Sequence, residues 1–157
     1  MKKLLFALMA LMFGMASFAA SKYEIPEYEI ESAGSGVQGT YLVRVWVHSK
    51  HGKVSDEVIK RCAVHGVIFR GFAGSAGQPT QRPLTPASTE QAKSEYFNAF
   101  FDDAGPYAQF GSIVAGSYQR VKASKQYKVG AVVQVRKDEL RRELEASGVA
   151  KGLSSGF

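Results

Sequence analysis

From Thr40 to His48 the chain alternates. Tyr41, Val43, Val45 and Val47 fall on one face of an extended segment, and Leu42, Arg44, Trp46 and His48 on the other. This period of two predicts a strand with one buried and one partly wet face. A second alternation, Tyr127, Val129, Ala131, Val133 and Val135, predicts another strand. Phe110 to Val121 reads as a strand as well, although Gly111 and Gly116 interrupt it, and it is expected to form a hairpin with the Tyr127 strand. Tyr23 to Glu31 alternates weakly and is broken by Pro26, which suits an edge strand or an extended arm. A Gly/Ser-rich linker, residues 32–39, follows it.

Three segments carry the helical period instead. The first starts at Ser55, an N-cap residue followed by Asp56 and Glu57, whose charges oppose the helix dipole. Val54 and Ile59 are placed for a hydrophobic staple, and Val58, Ile59, Cys62 and Ala63 form the apolar stripe. Lys60 and Arg61 suit a C-terminal turn, and Gly66 is the expected stop, with Val67 to Phe72 as a strand beyond it. The second helix opens either at Thr85-Pro86 or at a Ser88/Gln91 capping box. It presents Ala92, Tyr96, Ala99 and Phe100, widened by Phe97 and Phe101, and stops at Gly105-Pro106. The third runs from about Lys137 to Ser147, with Leu140 and Leu144 inward and Gly148 as its C-cap. Between the first two helices lies a long Gly/Ala/Ser/Pro loop, Ala73 to Thr85, of a length often tied to function. Together these elements predict an α+β domain spanning residues 40–150. It would have one mostly antiparallel sheet of four to five strands and about three helices, mainly on one face. Residues 151–157 read as a flexible tail.

The N-terminus changes the setting. Lys2 and Lys3 precede an uncharged apolar run, Leu4 to Met15, and Ser17-Phe18-Ala19 offers small residues at −3 and −1 of a cleavage site. Residues 1–19 are therefore expected to be a signal peptide, and the run is too short to span a bilayer as a helix, which takes about 20 residues. The working protein would be soluble and periplasmic or secreted. Removal of residues 1–19 leaves 138, enough for one core. The net charge of +6 falls to about +4, since Lys2 and Lys3 leave with the signal. That excess suits anionic partners but is too small and too spread out to point to nucleic acid, which an exported protein rarely meets. The single cysteine, Cys62, allows no internal disulfide or lipid attachment, and a buried thiol is expected.

Candidate chemistry is sparse. Cys62 and His65 share a helix face, a spacing that could hold a metal or pair a nucleophile with a base, but a structural Cys with a surface His is the better reading. His48 and His51 lack a third ligand, and Asp102-Asp103, unfavourable at a helix C-terminus, calls for a compensating Lys or Arg. Arg136, Lys137, Arg141 and Arg142 alternate with Asp138, Glu139, Glu143 and Glu145, the pattern of a solvated face with internal ion pairs. No phosphate loop, nucleophile elbow or metalloprotease motif occurs, so neither metal nor cofactor is expected. A leader followed by a compact α+β domain resembles uncharacterised exported bacterial protein families, and the resemblance implies no activity or site residue. The expectation is a binding or assembly module working through protein or envelope contacts, not an enzyme. Its contact residues would be Trp46, His48, His51, Arg70, Gln78 and Arg82, on an exposed sheet edge, the Trp46 face or the long loop. The alternatives are an exported hydrolase using His48, His51 or His65, and an inhibitor of a secreted enzyme.

Overall fold

The strand alternation is realised in the computed structural model, which describes residues 23–75 and 77–151. The signal segment 1–19 and nearly all of the expected tail lie outside the described residues. β1 (Tyr28–Ser32), β2 (Tyr41–Ser49), β3 (Gly111–Ile113), β4 (Gln119–Ala123) and β5 (Gln126–Val135) form one antiparallel sheet. β1 pairs with β2 and β2 with β5, while β3 and β4 follow one another along the far side of β5. The helices are α1 (Asp56–Phe69), α2 (Ser88–Ala92), α3 (Ser94–Phe100) and α4 (Lys137–Ala146), with a short 3₁₀ turn at Pro106–Gln109. The fold is α+β, as expected. Val43, Val45 and Val47 meet Ala131, Val133 and Val135 on the inner face, and α1, the α3 aromatics and Leu140 and Leu144 of α4 complete one core. Gly148, with φ +69, ends α4 where expected.

Four expectations are corrected. The supposed strand Val67–Phe72 is the end of α1, which runs through Gly66 to Phe69. Every residue from Arg61 to Phe69 is buried, so the segment shows no polar face and its helical period is invisible. Gly66 is needed for close approach: a Cβ there would stand 2.7 Å from Cδ1 of Ile30 and 3.3 Å from the Tyr28 ring. The left-handed terminator is Gly71, at φ +66, whose N–H bonds the Gly66 carbonyl. Consequently Arg61 sits mid-helix rather than in a last turn.

The second helix is two. Lys93 leaves the helical region between α2 and α3, and neither opening is used, because α2 begins after Ala87 without a side-chain cap. Phe97, Phe100 and Phe101 are buried as expected, but Ala92 and Ala99 face solvent. Finally, the strand expected over Phe110–Val121 is split. Gly116 turns at φ +74, and the Ser117 hydroxyl donates to the Val114 carbonyl and accepts from Val132 N–H at 3.0 Å, replacing a main-chain partner on β5. The fourth correction concerns His65, described below.

Candidate functional site

Two polar constellations and one bare strand edge stand out. The first is buried. His65 is only 6% exposed on α1, so it is not the surface histidine that a helix ending at Gly66 implies. Its Nδ1 lies 2.7 Å from the Tyr28 hydroxyl and its Nε2 3.0 Å from Glu90 Oε1. A carboxylate only accepts, so Nε2 carries a proton, and in the neutral imidazole Nδ1 accepts from Tyr28. Tyr23 donates its hydroxyl to the same Glu90 oxygen. Burial raises the Tyr28 hydroxyl well above the ordinary phenol range, which keeps it a donor. The bond from His65 holds the Glu90 carboxyl below its usual range, with the Tyr23 hydroxyl adding to the effect and burial opposing it. The Arg70 guanidinium lies 4.1 Å from the Tyr28 ring centroid and donates to the Tyr28 carbonyl at 3.1 Å. With both ring nitrogens engaged and the ring enclosed, His65 offers no free base to a substrate. The arrangement ties the N-terminal segment to α1 and α2. Cys62, one turn away, is fully buried, and burial pushes its thiol up to about 12, so it is no ready nucleophile.

The second constellation lies on the outer sheet face. Lys128 donates to Glu29 at 2.6 Å, His48 lies 3.3 Å from the same oxygen, and Trp46 donates to Glu31 at 3.2 Å. The Lys128 bond holds Glu29 below the usual carboxylate range, with burial opposing and His48 assisting. Trp46 lies across Gly130, where a Cβ would be 2.5 Å from the indole. Trp46 and His48 are thus brought together, whereas His51 is exposed in the following turn. Gln78 bonds Ser35 at 2.6 Å and so helps lay the long loop along the linker, and Arg82 is exposed. A cleft of about 580 Å³ opens between Glu24–Pro26, the end of β2 and the start of α1, and Arg61 also lines it. Arg61 is committed to Asp103 at 2.7 Å, which is the basic partner expected for the Asp102-Asp103 pair. The expected ion pairs along α4 form as Arg136–Glu139 and Arg141–Glu145. Among the described residues no three His, Cys, Asp or Glu side chains gather as a metal set, and no helix is long and apolar enough to cross a membrane.

The bare edge is β4. Val132 N–H, Arg136 N–H and the other even-numbered backbone groups of β5 point towards β3 and β4. By register they meet Gln119, Val121 and Ala123, so the N–H and C=O of Arg120 and Lys122 point away from the sheet. Among the described residues no hydrogen bond reaches these outward groups. Every β4 residue but Ala123 is exposed, and Val114, Tyr118 and Val121, three of the exposed large apolar residues, lie in or beside it. Sequence patterning missed this edge because it read 110–121 as one strand. The basic alternation Arg120-Val121-Lys122 was the available signal, since charged residues are how sheet edges are commonly marked. No family model, no curated protein and no solved structure matches the chain.

Proposed function

We propose that this chain is an exported, non-catalytic binding module that engages another polypeptide by strand addition along β4. One observation carries the reading: among the described residues the outward backbone groups of Arg120 and Lys122 form an unpartnered ladder beside exposed Val121. Added strands gain affinity from main-chain hydrogen bonds and specificity from alternate side chains. The leader at residues 1–19 places the encounter outside the cytoplasm, and the Trp46–His48 face is a secondary surface whose polar groups already pair with one another. A photo-crosslinking residue at position 119, whose backbone faces β5, tests this in living cells. Specific adducts should form and should disappear with Lys122→Pro, which removes an outward N–H. They should persist with Lys122→Gln, which removes only the charge. Adducts that survive Lys122→Pro unchanged would sink the reading. The mass of the mature chain checks the export step: loss of residues 1–19 is expected, and their retention would refute it.

A further inference from the structure

The surroundings of β4 are predominantly basic. Lys50 and Lys53 lie in the turn between β2 and α1, and Arg120, Lys122 and Lys125 lie on β4 and the Ser124–Lys125 turn. The sheet register sets the two turns side by side, because Tyr127 pairs with Ser49 on one flank and with Lys122 on the other. Gly52 closes the gap. A Cβ there would stand 3.0 Å from the Tyr127 ring and 3.1 Å from Cδ of Arg120, whose guanidinium lies 5.6 Å from the centroid of that ring. Among the described residues none of these five cations forms an ion pair, although Lys128, one position along β5, does. The nearby Asp56 carboxylate accepts from the Tyr118 hydroxyl and keeps its charge, so it offsets only part of the excess of five cations. Like charges in excess of their counter-charges repel one another, and an anionic partner relieves that cost.

Resting on the strand-addition reading, we infer that the β4 edge and this cationic collar form one site for an extended acidic polypeptide segment. Arg120 and Lys122 project from one face of β4, and Gln119, Val121 and Ala123 from the other. A strand laid against them is matched when acids alternate with apolar residues, Glu opposite Arg120 and Lys122 and an aliphatic residue beside Val121. The chain already uses this solution at its other edge. In β1, Glu29 and Glu31 alternate with Tyr28 and Ile30, and the two acids answer Lys128, His48 and Arg44. An anionic lipid surface could satisfy the charges but has no use for two outward N–H and two outward C=O groups in strand register.

The test is a titration of the purified protein with a capped Glu-Val-Glu-Val-Glu-Val peptide, its Lys-Val counterpart, and phosphatidylglycerol vesicles, followed by amide NMR. The acidic peptide should bind saturably, shift the Gln119–Ala123 amides, and weaken about tenfold between 50 and 300 mM salt as screening sets in. Lys122→Glu with Lys125→Glu should reverse the preference. Equal, salt-insensitive binding of both peptides through the β4 amides overturns the acidic partner and leaves strand addition standing. Acidic-peptide binding that Lys122→Pro does not affect, or vesicles bound as tightly as the peptide, overturns the combined site. Dimerisation through β4 that excludes the peptide identifies a second copy as the occupant, and overturns it too.

Discussion

The two edges of the sheet are treated in opposite ways. At β1 two of the outward groups are met: Arg70 donates to the Tyr28 carbonyl, and the Ser32 N–H bonds the Ala73 carbonyl of the long loop. Beneath them Tyr28, His65, Glu90 and Tyr23 make a buried relay that fixes the strand to two helices. At β4 the same kinds of backbone group face outward unmet among the described residues, flanked by Arg120 and Lys122 and fastened by β5, the close approach of Gly52 to Arg120 and the Tyr118–Asp56 contact. An unpaired edge is a hazard for aggregation, and natural sheets blunt it with charge or cover it. This chain partly covers one edge and charges the other. The difference teaches that stability is concentrated at β1, while β4 is selective about what approaches it.

The comparison breaks first at His65. His65→Ala leaves the Tyr28 hydroxyl without its acceptor and Glu90 without its N–H donor, on top of a void in the core. A loss of about 3 kcal/mol in urea denaturation is expected. The buried Cys62 thiol should become reactive to a thiol reagent at pH 8 in the variant and stay silent in the parent. A loss under about 1 kcal/mol would mean the relay does not hold the edge. Arg70→Ala comes next. It removes a cation–π contact and one cap on β1 from a residue that is itself exposed, so about 1 kcal/mol is expected. Its signature is local: faster hydrogen exchange at the Ser32 amide, with the β4 amides unchanged.

Acid separates the edges as well. The folded-state carboxyl of Glu90 is depressed, so its contribution is fully present above the unfolded value of about 4.3 and is lost as pH falls through the lower folded value. Stability measured from pH 7 to pH 3 should therefore fall more steeply in the parent than in Glu90→Gln. Lys122→Ala should follow the parent slope. Parallel slopes for parent and Glu90→Gln would remove Glu90 from the acid response.

How much of this was legible in the sequence follows from burial. β2, β5 and α4 each keep one wet and one dry face, so their periods show in the residues, and Leu140 and Leu144 are read correctly as buried. The last turn of α1 is dry on all sides, so Val67, Ile68 and Phe69 mimic a strand, and Gly66 mimics a stop where it serves close approach. That one error hid His65. With the helix continued, Val58, Cys62, His65 and Phe69 form a stripe at helical spacing, which would have placed the imidazole inward. Nothing local marks Glu90 or Tyr23 as its neighbours, because both arrive through the tertiary fold. The β4 edge was hidden by Ser117, whose side chain stands in for backbone and lets one apparent strand become two.

The smallest expected effect is the one that sharpens the comparison most. Lys122→Ala touches an exposed side chain with no ion pair, on a strand outside the hydrophobic core, so its effect on stability should lie within about 0.5 kcal/mol. Alanine keeps the backbone N–H, so hydrogen exchange at position 122 should remain as fast as in the parent. What should change is behaviour at high protein concentration. If Lys122 guards the open edge, its loss raises the tendency of the chain to self-associate, visible as a concentration-dependent sedimentation coefficient that the parent lacks. A destabilisation of 2 kcal/mol or more would show instead that β4 is part of the structural frame, and the division of labour between the two edges would fail.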